Sequence, residues 1–382
     1  MGVIRLLASA VLVSALTVSG GHAEKRVALV IGNSAYRNVP QLQNPANDAE
    51  AVGLLLKSIG FEVVQTRRDL GLAEMRRAIK DFSDLTLDTD TAVVFFAGHG
   101  IEVDGTNYLI PTDAKLTRDL DVEDEAVSLD RILRVIEPAR RFRLVILDAC
   151  RENPFANLMR RTLSSRSVAR GLGRVEPSIP DTLIAFSAKA GSTAADGNGI
   201  HSPFTAAVLR RLATPGLDVR IAFGQVRDDV MKATGSRQEP FVYGSLGGSI
   251  VALAMQGDDD NKGARDVDAA TRDYDIAAGI RTKEAWEAFL KVHPNGLYAE
   301  LARQQLAKLD VAAPSKREKP ANPSVESNRK KQKPAEPKTA TKSYPNCRPD
   351  YEASYHQSLA NARSVGVYPA AMIAQHKKQC GY

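Results

Sequence analysis

Short apolar runs alternate with segments of helical periodicity from Lys25 to about Ala254, and this alternation limits the fold more than any other feature of the sequence. Apolar runs that are rich in β-branched residues and end at glycine or a polar residue predict buried strands. Apolar residues three and four positions apart predict amphipathic helices between those strands. The alternation predicts an α/β domain with a mostly parallel sheet and helices on both of its faces.

The loops that carry four polar or reactive residues directly follow predicted strands. The predicted strands are 26–31, 61–64, 91–96, 142–147 and 182–186, with a last extended segment near 249–254. The predicted helices are 46–59, 72–85, 128–136, 203–212 and 219–232, and a hairpin is predicted within 101–110. The residues that follow strands are Asn33, His99, Cys150 and Ser187. Since ligands bind beyond the carboxyl ends of parallel strands, we expect these four to share one edge of the sheet.

Residues 1–23 have the pattern of a secretory signal peptide, with Arg5 before an apolar run and small residues before a cut after Ala23. An uncleaved membrane anchor is the alternative, but the apolar run is shorter than the ~20 residues that span a bilayer. We therefore predict an exported protein of the bacterial periplasm or the extracellular space. After signal removal, no transmembrane segment is expected.

The sequence changes character beyond the sheet domain, which is predicted to span 24–256. Residues 265–310 predict a helical hairpin of the tetratricopeptide type, 311–343 a disordered basic linker rich in Pro and Lys, and 344–382 a small C-terminal unit. Because the linker carries much of the positive charge, the net charge of +6 does not indicate a nucleic-acid groove in the folded domain. An envelope partner for the C-terminal regions stays open.

The chain has three cysteines, so pairing in an oxidising compartment leaves one of them over. Cys347 and Cys380 both lie in the C-terminal unit and are predicted to form a disulfide. Cys150 is then the free thiol. A buried structural cysteine and a nucleophile are both consistent with this count.

The surroundings of Cys150 favour a nucleophile when they are considered together with His99. A thiol attacks a carbonyl as the thiolate, and a nearby imidazole usually takes its proton. His99 lies between two glycines directly after a predicted strand, and Cys150 follows the next apolar strand. The interval between them is that of two neighbouring parallel strands joined by one crossover. The pair therefore predicts a Cys-His dyad.

Two motifs carry a family resemblance: 95–100, Phe-Phe-Ala-Gly-His-Gly, and 148–151, Asp-Ala-Cys-Arg. Together with 30–36 and 42–49 they resemble the caspase-like peptidases, in particular the bacterial branch near the metacaspases. The resemblance covers about 25–254 and implies a caspase-haemoglobinase-like, six-stranded sheet. It also implies a cysteine endopeptidase that acts on protein or peptide substrates. The chain departs from animal caspases at Asp148 and Glu152, where those enzymes have Gln and Gly.

That departure bears on substrate specificity. In this family the side chain two residues before the nucleophile faces the primary substrate pocket, which implies a carboxylate from Asp148. Asp48 occupies the position of a second pocket carboxylate in the metacaspases, and Asp196 aligns with a third pocket position. Carboxylates in a concave site select a cation, so we predict cleavage after Arg or Lys. In the simpler interpretations, Asp48 favours a helix N-terminus and Asp196 serves a turn before Gly197.

The resemblance implies further roles around the dyad. The backbone N–H groups of Gly100 and Cys150 are expected to hold the oxyanion. The basic loop 160–174 coincides with the segment that caspase relatives cut during maturation, and self-processing and a solvated surface loop are equal alternatives. We predict no cofactor and no metal. Calcium activation, known among metacaspases, is the weaker alternative, since the acidic run of Asp119, Asp121, Glu123 and Asp124 implies no coordination geometry.

Two other function classes compete with a peptidase. A non-catalytic scaffold or binding protein of the cell envelope would keep the fold without turnover, and the intact His99 and Cys150 count against it. A nucleotide-binding protein is weaker still, because Gly32 stands without the G-x-G-x-x-G spacing.

Overall fold

The computed structural model describes residues 24–149, 154–155, 159–160, 162, 172–189, 194, 197, 199–255 and 260–312. Among the residues singled out above, Cys150, Glu152, Asp196, Cys347 and Cys380 lie outside these ranges. The predicted signal peptide, most of the 160–174 loop, the linker and the C-terminal unit also lie outside them.

The described residues form strands and helices in close alternation. The strands are β1 (Arg26–Gly32), β2 (Val63–Arg68), β3 (Thr91–Ala97), β4 (Gly100–Val103), β5 (Thr106–Leu109), β6 (Val127–Ser128), β7 (Phe142–Asp148), β8 (Thr182–Phe186) and β9 (Phe241–Ser245). The helices are α1 (Pro45–Ser58), α2 (Leu72–Thr86), α3 (Asp121–Glu125), α4 (Leu129–Ile136), α5 (Pro203–Leu212), α6 (Val219–Thr234), α7 (Asp260–Ile280), α8 (Lys283–Val292) and α9 (Leu297–Ala312).

The main sheet has six strands in the order β2-β1-β3-β7-β8-β9. All neighbouring pairs are parallel except β8 and β9, which are antiparallel. Every residue of β1 and β3 is buried, because helices cover both faces of the sheet. One face packs against α1, α5 and α6, and the other against α2 and α4. The predicted α/β class with a mostly parallel sheet is confirmed.

The sixth strand is not where the sequence predicts it. It is β9, whereas residues 249–254 make only an isolated bridge between Asp218 and Ala252. Leu253 and Ala254 are buried by packing, so their apolar character reflects contact with the core and not strand pairing. The start of β2 is also wrong in the prediction: Phe61 is buried in the core ahead of the strand, which begins at Val63.

A second sheet, in the order β4-β5-β6, extends from the end of β3. Its hairpin confirms the predicted turn, since Asp104 and Gly105 both have positive φ angles, of 52° and 80°. This conformation favours Asp and Gly in a two-residue hairpin loop. The strand β6 pairs with β5 through Val127 and Ser128 and was not predicted, because two residues carry no periodicity.

The segment after the main sheet contains three helices that pack on the sheet domain. The apolar side chains of Trp286, Phe289 and Leu301 belong to the same buried cluster as α1. At the edge of this contact, Lys308 Nζ lies 2.9 Å from Asn47 Oδ1 on α1. A pair of helices alone buries little apolar surface, and this one gains its burial from α1. The tetratricopeptide classification stays a prediction.

The longest of these helices is α7, with 21 residues. Across the described ranges, no helix combines the length and the apolar character that crossing a membrane requires.

Candidate active site

The ends of β3 and β7, the strands that precede the two predicted catalytic positions, lie side by side. Ala97 pairs with Asp148 in the parallel register of these strands. His99 and Cys150 each follow their member of this pair by two residues in the sequence. The described chain reaches Ala149, one residue before the cysteine.

The loops after the neighbouring strands lie at the same edge. The backbone N–H of Asn33, after β1, donates to the carbonyl of Ala97 at 2.9 Å. The backbone N–H of Ser187, after β8, donates to the carbonyl of Leu147 at 2.9 Å. The predicted common edge is therefore confirmed for Asn33, His99 and Ser187, as the parallel strand order requires.

Tyr36 holds the turn that carries the histidine. The backbone N–H of His99 donates to the phenol oxygen of Tyr36 at 2.7 Å, and this phenol donates to the carbonyl of Ile110 at 3.1 Å. A Cβ at Gly98 would lie 2.6 Å from the same phenol oxygen, so only glycine fits there. Tyr36 is the last residue of the 30–36 motif, and the sequence alone predicts no role for it.

The imidazole of His99 is buried, and one of its nitrogens faces a carbonyl. Nε2 lies 3.3 Å from the carbonyl oxygen of Pro40, and the ring centroid lies 4.4 Å from that of Tyr36. Because a carbonyl only accepts hydrogen bonds, a neutral imidazole in this contact carries its proton on Nε2. Nδ1 is then the basic nitrogen. A histidine in this tautomer can act as a general base.

Gly100 lies where the histidine and cysteine segments approach each other. A Cβ built on Gly100 would lie 3.1 Å from the carbonyl oxygen of Ala149 and 2.9 Å from Cδ2 of Leu172. A side chain at this position would therefore force the backbone of Ala149, the residue that precedes Cys150, to shift by a few tenths of an ångström. The predicted role of the Gly100 N–H toward the oxyanion is a separate requirement.

Asp148, at the end of β7, is fully buried with a partly satisfied carboxylate. Its Oδ2 accepts a hydrogen bond from Thr205 Oγ1 at 3.0 Å and another, very short, from Ser202 Oγ. Its Oδ1 is buried and has no hydrogen-bond partner among the described residues. A buried carboxylate oxygen without a donor is costly, so this oxygen is a candidate acceptor for a ligand.

Asp48 lies in the first turn of α1 and is also fully buried. Its Oδ1 lies 2.9 Å from His201 Nδ1, and the backbone N–H of Ser202 contacts both carboxylate oxygens at 3.3 and 3.4 Å. Ser202 therefore joins the two predicted pocket residues, with its N–H on Asp48 and its hydroxyl on Asp148. Asp48 therefore lies in the first turn of a helix, as in the simpler interpretation, and also contacts a distant loop.

Three polar residues of this site, His201, Ser202 and Thr205, were missed by the sequence analysis. The sequence carried a signal for one of their roles: Ser202 before Pro203 is a typical N-cap, and its hydroxyl accepts from the Thr205 N–H. That signal indicates only a helix start. The contact of Ser202 with the two carboxylates depends on tertiary structure.

Asp121, in the acidic run near α3, is engaged in local hydrogen bonds. Asp121 Oδ2 accepts from Thr117 Oγ1 at 2.6 Å, and Arg118 donates to Oδ1 at 2.9 Å. These contacts, the Thr117 hydroxyl first, lower the pKa of Asp121 to about 2. Among the described residues, no group of three or more His, Cys, Asp or Glu side chains is arranged to hold a metal ion.

Comparisons with known proteins bear on the whole arrangement. Mucosa-associated lymphoid tissue lymphoma translocation protein 1 of Homo sapiens is 33% identical over 132 residues, which are 34% of this chain and 15% of the human protein. Caspase-1-B of Xenopus laevis is 27% identical over 151 residues, 36% of this chain and 37% of the frog protein. The chain thus spans less than half the length of either relative.

The solved structure of caspase-1 from Spodoptera frugiperda aligns with 62% of this chain and 92% of its own, at 18% identity and a TM-score of 0.45. A family model described as a caspase domain matches residues 25–249, which include His99 and Cys150. Because this model covers more than half of the sequence, the chain belongs to the caspase-domain family of peptidases.

Proposed function

We propose that this chain is a cysteine endopeptidase that hydrolyses peptide bonds on the carbonyl side of Arg or Lys. One observation carries the specificity: Asp48 and Asp148 are both fully buried and share Ser202 as a hydrogen-bond donor. Two carboxylates beside one another attract a guanidinium or ammonium group. The Oδ1 atom of Asp148, which has no partner in the described part of the chain, supports the same assignment.

The proposed reaction uses Cys150 as nucleophile and His99 as base. The imidazole takes the proton of the thiol, and the thiolate sulfur bonds to the substrate carbonyl carbon. The backbone N–H groups of Gly100 and Cys150 hold the oxyanion that forms. The C–N bond then breaks, the amine leaves with the proton from His99, and a thioester remains. Water, deprotonated by His99, hydrolyses the thioester and returns the thiol.

Three features support His99 as the base in this scheme. It follows Ala97 by two residues, and Ala97 pairs with Asp148 on the strand that precedes the cysteine. Its turn is held by Tyr36, and its Nε2 contacts the Pro40 carbonyl. The carbonyl contact places the proton of the neutral ring on Nε2, so Nδ1 is the nitrogen that can accept a proton. This hydrogen bond therefore favours the tautomer that a base with a reactive Nδ1 needs.

Fluorogenic peptides that end in Arg, Lys or Asp test the proposal. The purified chain is expected to cleave the Arg and Lys peptides, and Cys150→Ala is expected to abolish the cleavage. Asp148→Asn should lower kcat/KM for the Arg peptide by about 10- to 100-fold, mainly through KM, because it removes one charge-assisted contact. Asp84→Asn on the exposed face of α2 is the matched control and should change neither constant.

Two results would reject this function. Cleavage confined to the Asp peptide would contradict the basic-residue pocket, and hydrolysis that survives Cys150→Ala would contradict the nucleophile. The envelope scaffold is separated by alkylation: a Cys150 that reacts with iodoacetamide no faster than a model thiol near neutral pH indicates a non-catalytic protein.

We further propose that the 160–174 loop is a substrate of the enzyme itself. Its last residues, Leu172 to Arg174, lie beside the site: Leu172 packs against Gly100, and the backbone of Gly173 exchanges hydrogen bonds with Asn107 of β5. Mass spectrometry of the wild type and Cys150→Ala should show new termini after Arg160 to Arg174 in the wild type alone. Intact loops in both proteins would contradict self-processing.

The predicted export to the periplasm or the extracellular space, and the third pocket position at Asp196, belong to the same proposal. An oxidising compartment agrees with the count of three cysteines, of which Cys347 and Cys380 are predicted to pair. N-terminal sequencing of the secreted chain should begin at Glu24, and Asp196→Asn should weaken cleavage after Arg.

A further inference from the structure

His201 and Asp48 form a buried contact, and this contact determines which imidazole nitrogen carries a proton. The distance from Nδ1 to Asp48 Oδ1 is 2.9 Å, and the side chains are 7% and 0% exposed. A carboxylate only accepts hydrogen bonds, so Nδ1 carries a proton in the neutral and in the charged imidazole alike. The second nitrogen, Nε2, is buried and has no hydrogen-bond partner among the described residues. Protonation of His201 therefore occurs at Nε2 and keeps the Asp48 contact intact.

The imidazole of His201 also lies beside α7. The ring of Tyr274 lies nearly parallel to that of His201, with centroids 6.5 Å apart. Asp275 and Arg281 line a cavity of about 450 Å³ beside these two rings. Asp275 is also paired with Arg210 of α5 at 3.2 Å. The ionisable groups around His201 are thus Asp48 from α1, Tyr274 and Asp275 from α7, Arg281 after α7, Arg210 from α5 and, through Ser202, Asp148.

We propose that His201 sets the charge of the basic-residue pocket and thereby its affinity for the Arg or Lys side chain of a substrate. This inference rests on the proposed function. The neutral imidazole orients Asp48 through its Nδ1–H and leaves the carboxylate charge to the substrate. The imidazolium keeps the same geometry but offsets that charge, so only Asp148 attracts the substrate cation. An imidazole can change between these states near neutral pH, whereas an amide in its place cannot.

The structure offers a matched variant for this idea. An asparagine at position 201 places an amide nitrogen close to the position of Nδ1, so it can donate to Asp48 without ever becoming charged. His201→Asn thus separates orientation of Asp48 from titration. His201→Gln, which places its amide near Nε2, keeps the residue polar but removes the donor to Asp48.

Benzamidine, a small aromatic cation, is the probe of pocket charge. Its inhibition constant is measured against an Arg peptide between pH 5.5 and 8, in the wild type and in the two variants. In the wild type the constant should fall about five- to tenfold as the pH rises, since one charge near the ligand is removed. In His201→Asn it should be independent of pH and equal to the high-pH value of the wild type. His201→Gln should also lose the pH dependence but bind benzamidine more weakly.

The outcomes separate this inference from the proposed function. A wild type that cleaves Arg peptides but shows a flat benzamidine constant overturns the role of His201 alone, as does a His201→Asn profile with the wild-type slope. A wild type that cleaves no Arg peptide at any pH overturns the proposed function and this inference with it. If His201→Asn fails to fold, as shown by a lost thermal transition, the wild-type and His201→Gln profiles decide the question.

Discussion

The phenol oxygen of Tyr36 accepts the backbone N–H of His99 at 2.7 Å and so ties the loop after β1 to the turn after β3. The same phenol donates to Ile110 at the end of the second sheet. One side chain therefore fixes the backbone on both sides of the candidate base. The position of the imidazole depends on this hydrogen-bond pair because the glycines beside His99 provide no side-chain contacts of their own.

Tyr36→Phe should lower activity and stability together. The change leaves the buried His99 N–H without its acceptor, which costs about 1–3 kcal/mol, while the Ile110 carbonyl keeps the Asn33 amide as a donor. We expect kcat/KM on the Arg peptide to fall about tenfold or more, mainly in kcat, with a lower melting temperature. Tyr243→Phe on the edge strand β9 is the control for removal of a phenol. Wild-type kcat in Tyr36→Phe would show that the contact does not position the histidine.

Gly100→Ala should impair catalysis through the cysteine segment. The new Cβ would lie 3.1 Å from the Ala149 carbonyl, so the backbone next to Cys150 has to move. A misplacement of about 1 Å near a reacting group costs about 100-fold in rate, so a shift of a few tenths of an ångström should lower kcat about three- to tenfold. Gly224→Ala is the control, because a Cβ there meets nothing within 4 Å on α6. The control should keep full activity and melt at the same or a higher temperature. Equal kcat values for the two variants would argue against the close approach.

Acid stability should depend measurably on Asp121. Its pKa is lowered from 3.8 to about 2 by the Thr117 hydroxyl first and by Arg118. A carboxylate with a lowered pKa in the folded state stabilises the protein at pH values above its unfolded-state pKa of 3.8. This contribution is lost as the pH falls through the folded-state pKa of about 2. Asp121→Asn should therefore reduce the free energy of unfolding by about 1 kcal/mol at pH 7 and by progressively less below pH 4.

Urea titrations at pH 7, 5, 4 and 3 measure this difference between wild type and variant. Asp81→Asn, on the exposed face of α2, is the control and should follow the wild type at every pH. A difference of the same size at pH 7 and pH 3 would mean that Asp121 acts through packing and not through its charge.

The helices α7 to α9 should unfold together with the sheet domain. Trp286 is 1% exposed, belongs to the core cluster shared with α1, and is the single tryptophan of the chain. In the Cys150→Ala protein, its fluorescence and the far-UV circular dichroism should therefore change at the same urea concentration. Trp286→Ala should cost about 3–5 kcal/mol, while Val292→Ala at an exposed position should cost little. A tryptophan transition well before the circular dichroism transition would indicate a separate helical unit.

Much of the sheet could be predicted because the sequences of its central strands have the pattern of buried parallel strands. β1, β3 and β7 are apolar runs that end abruptly at polar residues or glycine, and a buried parallel strand needs this pattern. The error at 249–254 has the opposite cause. Those residues are apolar because they pack on the core, whereas β9 is an edge strand with exposed polar positions that carry little pattern.

The amino-acid sequence by itself determined the alternation of strands and helices, the common edge of their loops, and the histidine and cysteine motifs that follow two neighbouring strands. These features are local, or follow from strand order. Only the tertiary structure decided what holds them. Tyr36 meets His99 across 63 positions, and His201 meets Asp48 across 153. Such contacts form when loops that are far apart in the sequence pack at one edge of the sheet, and the periodicity of the sequence does not indicate them. The charge of the candidate pocket therefore depends on a histidine that the motifs alone do not indicate.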